Sequence, residues 1–523
     1  MTPRSVFAAL TLITLGATAC TKDIALGLNG DGGCPPTGCG TTATPIRVPQ
    51  SPQNKVDILF MVDNSASMAA MQEELKAKFG SFFTVFNDLA TAGVYADLHI
   101  GVVTSDYGAG DEDNTASGCG KSPGGDLGKL QAIGKQADPS CVPPTGVPFI
   151  EYAFGPGGTA VGNIPAGNTP ANLVTTFTCM ASGIDAAGTN PGCGFEHQLE
   201  SVYAALHNTT DNAGFLRSDA FLVVVFLTNE DDGSAAPTSH IYESGASAES
   251  TYGQYNTYRQ THWALSCDNA QAPYSAMADL TDCEGSPNNA GDNGLAYDVS
   301  RYISYFTQPT VNGGVKVDPN DVMLVGIDAP TTPFSTILAQ VGTGSGAAPS
   351  PSYVTCGALN PGTCDVHLQH SCQNQVSPGF FGDPAVRIES VVNAARYHLT
   401  ANICGDDLAS TPDYSGTMGN VGTVIAANIG QGCIPAPVAD ATNPNCVVEQ
   451  VTPVAGGDNQ TTAIPNCATN GGEKPCWLSE LKTQCAASTV GGSPQGIGIT
   501  VQFQYADGGV PSGSYLSVLC ATL

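Results

Sequence analysis

Residues 55–68 read KVDILFMVDNSASM. The stretch Val56 to Val62 is continuous in its hydrophobicity rather than alternating, which suits a strand buried on both faces, as in a parallel sheet covered by helices. It stops at Asp63-Asn64-Ser65-Ala66-Ser67-Met68. Beyond that turn Met71, Leu75, Phe79, Phe82, Phe83 and Phe86 recur at three- and four-residue steps, the spacing of an amphipathic helix. One strand, one polar turn and one helix therefore stand in a row.

The same alternation continues downstream. Leu98 to Val103, Phe221 to Leu227 and Val322 to Ile327 are further buried-strand runs. Leu199, Val202, Tyr203 and Leu206 carry helical spacing, and more helices are expected around 252–266, 295–306, 385–400 and 417–429. Strands alternating with helices predict an α/β fold, a doubly wound, mostly parallel sheet with right-handed crossovers, over residues 51–432. That span is long for one domain, so long insertions are expected at 107–170, 233–294 and 328–383, each rich in Gly, Pro, Asn or Ser and each containing cysteines. Residues 433–523 change character and predict a small cysteine-rich β module, with IGITVQFQY and GSYLSVLC as its strand-like runs.

Composition narrows the setting. Asp and Glu outnumber Lys and Arg by 46 to 17, a formal charge of −29, which excludes a basic nucleic-acid footprint. Nineteen cysteines in 523 residues argue for an oxidising compartment. The sequence-near pairs Cys34 with Cys39, Cys119 with Cys141, Cys179 with Cys193, Cys267 with Cys283, and Cys356 with Cys364 are candidates to pin loops, while Cys433 is a candidate either to pair with Cys404 or to link the α/β region to the module after it. Spacing alone leaves the connectivity open.

The amino terminus explains the odd cysteine count. Arg4, the apolar stretch Val6 to Leu15 and the small residues Ala17 to Ala19 form an export signal over 1–19. A small-residue run ending on Cys20 resembles the lipobox of bacterial lipoproteins, which implies acylation of Cys20 and an envelope location, the membrane being reached through the lipid alone; the alternative is ordinary secretion with cleavage near Ala19 and Cys20 free or disulfide-bonded. Residues 20–50, dense in Gly, Pro and Thr, read as a tether.

Chemistry concentrates at the first turn. In open α/β sheets ligands bind outside the carboxyl ends of the strands. Asp63, Ser65 and Ser67 bring a carboxylate and two hydroxyls together there, a set suited to a hard divalent cation. At this point the sequence resembles the von Willebrand factor type A family, Asp63, Ser65 and Ser67 matching the D-x-S-x-S of its metal-ion-dependent adhesion site. The resemblance implies a cation, Mg²⁺ ahead of Mn²⁺ or Ca²⁺, with an open position for an acidic group of a protein or glycan partner. It also implies a Thr ligand, for which Thr189 is the candidate and Glu196 the rival, and an Asp after a later strand. That last position is Asn229, so Glu230, Asp231 or Asp232 would have to turn inward.

Other signals point less far. Asp365, His367, His370 and Cys372 in CDVHLQHSC read as a disulfide-pinned loop rather than a zinc site. The acidic run 110–114 lacks the Ca²⁺-loop pattern of an EF-hand. No nucleophile elbow, H-E-x-x-H or phosphate loop occurs, so the chain is expected to bind rather than catalyse. The alternatives are a structural envelope protein with a degenerate, metal-free site and, last, an envelope hydrolase.

Overall fold

The computed structural model describes residues 45–46, 54–91, 94–110, 125–183, 192–253, 257–267, 277–285, 295–341, 343, 352–360, 362–428, 446–481, 489–490, 493–494, 499–505 and 513–520. Cys20, Cys34, Cys39, the acidic run from Asp111, Cys119, Thr189 and Cys433 lie outside them.

A seven-stranded sheet organises the chain. Its strands are β1 (Lys55–Val62), β2 (Asp97–Thr104), β3 (Ile150–Phe154), β4 (Ala160–Gly162), β5 (Phe221–Leu227), β6 (Val322–Asp328) and β7 (Tyr397–Asn402). They lie in the order β7-β6-β5-β1-β2-β3-β4. The first five in that order pair in parallel, while β3 and β4 are antiparallel additions at one edge. All four continuous apolar runs of the sequence fall in the parallel part.

Alternation along each strand distributes the core to two faces. From β1, Val56, Ile58, Phe60 and Val62 enter one cluster with Phe79, Phe82, Phe177 and Met418, contributed by helices α1 (Ala69–Thr91), α2 (Pro170–Met180) and α6 (Ser415–Asn428). Leu59 and Met61 enter the other, with Leu199, Val202, Tyr302 and Ile388 from α3 (Gln198–His207), α4 (Ser300–Thr307) and α5 (Val386–Val392). Phe79 stacks on Phe177 at 3.4 Å between ring centroids and meets Phe60 edge-on at 5.6 Å. At about 1.5–3 kcal/mol for each large side chain buried, these layers hold the sheet. Gly101 on β2 is a close-approach position: a Cβ there would stand 2.9 Å from both Leu130 and Phe215.

Two expectations are corrected here. The stretch 385–400 is not one helix; α5 ends at Val392 and Tyr397–Asn402 is the edge strand β7. An edge strand is half-covered, so YHLTAN alternates instead of forming an apolar run, and its signal is weak. The stretch 107–170 is not only a loop, because β3 and β4 extend the sheet from within it. The insertions 233–294 and 328–383 brace each other: Phe334–Gln340 pairs with Cys364–Leu368 on one side and Asp279–Leu280 on the other.

In the carboxyl-terminal segment Cys446–Thr452, Gln460–Ala463 and Tyr515–Cys520 form an antiparallel sheet that Pro45–Ile46 joins, and Cys476–Leu481 pairs with Ile499–Gln504. Disulfides link Cys267 to Cys283 and Cys356 to Cys364, as the spacing suggested. Cys141 pairs instead with Cys179, and Cys404 with Cys372, which overturns the pairings of Cys141 with Cys119, Cys179 with Cys193 and Cys404 with Cys433. The fold decides against sequence proximity, since the end of α2 meets the 141 loop and β7 runs out beside Cys372. Cys467 pairs with Cys476, and Cys193 and Cys446 are also disulfide-bonded. So many disulfides fit an extracellular or envelope setting. No helix among the described residues is long and apolar enough to cross a membrane.

Candidate metal-ion site

At the carboxyl edge of the sheet, the ends of β1, β2 and β5 meet around Asp63, which is fully buried. Its Oδ1 accepts from the Ser65 N–H at 2.8 Å and from the Ser105 hydroxyl at 2.9 Å. Its Oδ2 accepts from the Thr228 hydroxyl at 2.8 Å. Ser65 and Ser67 bond each other through their hydroxyls at 2.9 Å, and Ser67 donates to Asn229 Oδ1 at 2.9 Å. The turn is fixed from below, where Gln72 on the first turns of α1 donates to the Asp63 carbonyl at 2.5 Å.

Burial pushes the Asp63 carboxyl above its ordinary range, although the Ser65 N–H and the Thr228 and Ser105 hydroxyls pull it back. Among the described residues no Lys or Arg pairs with it. Glu196, also buried, is pushed well above its ordinary range by desolvation first and then by Glu230 and Asp63. Its Oε2 and the Asn229 Nδ2 have no hydrogen-bond partner. Asn64, next to Asp63, is buried with both amide atoms unpartnered, and Gly192 sits so close that a Cβ there would reach 2.3 Å from Asn64 Oδ1.

The structure therefore brings Asp63, Ser65, Ser67, Glu196 and Asn229 to one place. Asp231 is turned elsewhere: its oxygens accept the Arg387 and Ile388 N–H groups at the start of α5 at 3.0–3.2 Å. Nor is the acidic turn a solvated loop, since Asn229, Asp231 and Asp232 are all buried. Ser105 and Thr228 join the site without a motif to announce them. Each is the first or second polar residue after a buried strand, the position Asp63 holds after β1, and that shared position is the signal that finds them.

As a donor set this group is made of carboxylate, hydroxyl and amide oxygens, the chemistry of a hard cation. A buried carboxylate with no cationic partner also fits one, because buried charges are ordinarily paired or bound to metal. Asp63, Ser65 and Ser67 would hold it, with Asn229 and Glu196 at the rim. No group of three or more His, Cys, Asp or Glu among the described residues is placed to do so by itself, so the hydroxyls are essential to any such site.

No protein-family model matches the chain, and no curated protein matches it. Among solved structures it is similar to the adhesive tip pilin GBS104 from Group B Streptococcus agalactiae, with 11% identity, 92% of this chain and 80% of that one covered, and a TM-score of 0.27. It is also similar to the pilus adhesin RrgA from Streptococcus pneumoniae, with 10% identity, coverage of 92% and 58%, and a TM-score of 0.28. Scores at this level do not establish a shared fold.

Proposed function

We propose that the chain is an exported envelope protein, anchored through an acylated Cys20, whose α/β domain is of the von Willebrand factor type A kind and captures a protein or glycan partner through a divalent cation, Mg²⁺ foremost. The observation that carries this is the buried Asp63, without a cationic partner, ringed by hydroxyls at the carboxyl ends of β1, β2 and β5. The sheet order, with β1 between β2 and β5 and an antiparallel strand beyond β2, supports the family reading.

When bound, the cation supplies an open coordination position for an acidic group and reverses the local sign of an otherwise acidic surface. The chain's own residues do the rest. Asp63, with the Ser65 and Ser67 hydroxyls, would hold the cation, and Ser105 and Thr228 hold the Asp63 carboxylate in place by donating to it.

Calorimetry with Mg²⁺ alone, on the wild type and on Asp63→Asn and Ser65→Ala/Ser67→Ala variants, tests the site. An envelope-extract pulldown with and without EDTA tests the capture. Wild-type binding that both variants lose, with metal-dependent capture, is the expected outcome; capture unchanged by EDTA and by the substitutions rejects it. One observation favours a second reading, a metal-free structural hub: the protein's own donors already meet both Asp63 oxygens. An intact fold with no Mg²⁺, Mn²⁺ or Ca²⁺ affinity at Asp63 would favour that.

A further inference from the structure

Gln198 opens α3 and is fully buried. Its place is fixed on either side. The His197 N–H just before it donates at 3.0 Å to the carbonyl of Ser105, past the end of β2, and the Leu199 N–H just after it donates to Asp232 Oδ1 at 2.9 Å. Held there, the side-chain amide reaches the turn after β5. Its Nε2 donates to the Thr228 hydroxyl oxygen at 3.0 Å and to the Glu230 carbonyl at 3.1 Å. A carbonyl only accepts, so the atom facing Glu230 must be the nitrogen, which settles the orientation of the amide.

These bonds decide what the Thr228 hydroxyl does with its two lone pairs and single proton. Its oxygen receives Gln198 Nε2 and, at 3.3 Å, the Glu230 N–H. Its proton has two acceptors in range, Asp63 Oδ2 at 2.8 Å and the Glu230 carbonyl at 3.0 Å. The Gln198 amide already donates to that carbonyl, which tips the proton to the carboxylate, the nearer acceptor and the one whose charge makes the stronger bond. Asp63 Oδ1 is held by the Ser65 N–H and the Ser105 hydroxyl, so the Thr228 bond to Oδ2 completes the fixing of the carboxylate plane.

Packing does not account for the amide. Gln198 Oε1 is buried with no hydrogen-bond partner, an unmet acceptor that an apolar side chain of the same length would not carry. Both uses of its Nε2 fall on the turn that holds Asp63.

We infer that Gln198 is a positioning residue for the Asp63 site, fixing the carboxylate through Thr228 in the orientation that takes a divalent cation. The assignment rests on the cation reading of that site. Hydrogen-bond partners of a ligating carboxylate contribute about 10–100-fold to metal affinity, and Gln198, one bond further back, belongs at the lower end.

Calorimetry with Mg²⁺ alone on the full-length chain tests this, with Gln198→Met, Thr228→Val, the two combined, and Thr228→Ser. Gln198→Met keeps the length and loses both N–H groups; it should weaken Mg²⁺ about tenfold while the melting temperature in EDTA stays at or above the wild-type value, because the stranded acceptor goes too. Thr228→Val should weaken Mg²⁺ at least as much, and Thr228→Ser, which keeps the hydroxyl, should bind as the wild type does. The combined variant should be no weaker than Thr228→Val alone, since Gln198 acts through that hydroxyl. Unchanged affinity in Gln198→Met, or losses that add in full, overturns the assignment and leaves the cation reading standing. So does a loss of affinity matched by a fall in the EDTA melting temperature, the mark of a structural role. A wild type that takes up no Mg²⁺ fails the cation reading, and the assignment with it. If Gln198→Met does not fold, Gln198→Asn, which keeps the amide but draws it back from Thr228, should weaken Mg²⁺ likewise; unaltered affinity overturns the assignment.

Discussion

His197 is buried just before α3, its Nε2 at 3.1 Å from the Gly108 carbonyl and 3.2 Å from the Tyr242 hydroxyl, while its Nδ1 has no partner. Burial lowers its pKa from 6.5 to about 4, against smaller opposing pulls from Asp232, Gly108 and Asp106. The unfolded chain therefore takes up a proton near pH 6.5 that the folded chain refuses until about pH 4. Above that window the group is silent; within it, stability falls as pH falls. A His197→Gln variant loses packing at pH 7 but escapes this acid penalty. Its deficit relative to wild type in urea denaturation should shrink by roughly 2–3 kcal/mol at pH 4.5, and a deficit that does not change with pH rejects the account. At this scale the sequence spoke clearly where residues were adjacent: Asp63, Ser65 and Ser67 share one turn. It was silent on direction. Nothing local distinguishes Asp231, which faces a helix backbone, from Asn229, which faces the hub, because neighbouring residues in a turn point different ways and only the packed fold says which.

The turn after β5 joins two helices to the sheet. Asp231 receives the first N–H groups of α5, where a carboxylate also complements the helix dipole. Asp232 receives the Leu199 N–H of α3 at 2.9 Å and pairs with Arg387 at 3.1 Å, both side chains fully buried. Arg387 is completed by the Ala264 and Tyr297 carbonyls. Removing one partner leaves an uncompensated buried charge, so Asp232→Asn should cost about 3–5 kcal/mol, whereas Asp232→Asn combined with Arg387→Met should cost less than the two single changes summed. Equilibrium denaturation of the three variants measures this; a single-variant loss below about 1 kcal/mol would show that the pair acts like an exposed one. Elements buried on both faces were legible as apolar runs, which is why β1, β2, β5 and β6 could be placed from composition alone. Elements at the rim were not: β7 alternates, and β3 and β4 are short and interrupted, because they have a neighbour or a helix layer on one side only.

Across the whole molecule, the doubly wound architecture followed from the order of runs, while the cross-links between distant parts did not. Cys372 and Cys404, both buried in the core, tie the end of the 328–383 insertion to the residues after β7 across a separation of 32. Exchanging both for Ser should cost about 2–4 kcal/mol and loosen the insertion more than the sheet, to be read as faster hydrogen exchange in 364–382 than in β1 and β5. Equal exchange in both regions would show that the bridge supports the fold as one unit instead. Spacing offered Cys433 as one candidate partner for Cys404 and left the choice open; tertiary proximity sets such pairs, and only the fold contains it.

The central place of β1 bears on how the chain reaches this state. Of the seven-stranded sheet β1 is the first strand to emerge, yet it is flanked by β2 and β5, and Val56 must wait for Phe221 before its second side is paired. Contacts so far apart in sequence slow folding, and an apolar strand with an open flank is prone to mispair meanwhile. The strand that carries Asp63 is therefore the one most in need of a holding chaperone while the rest of the chain arrives.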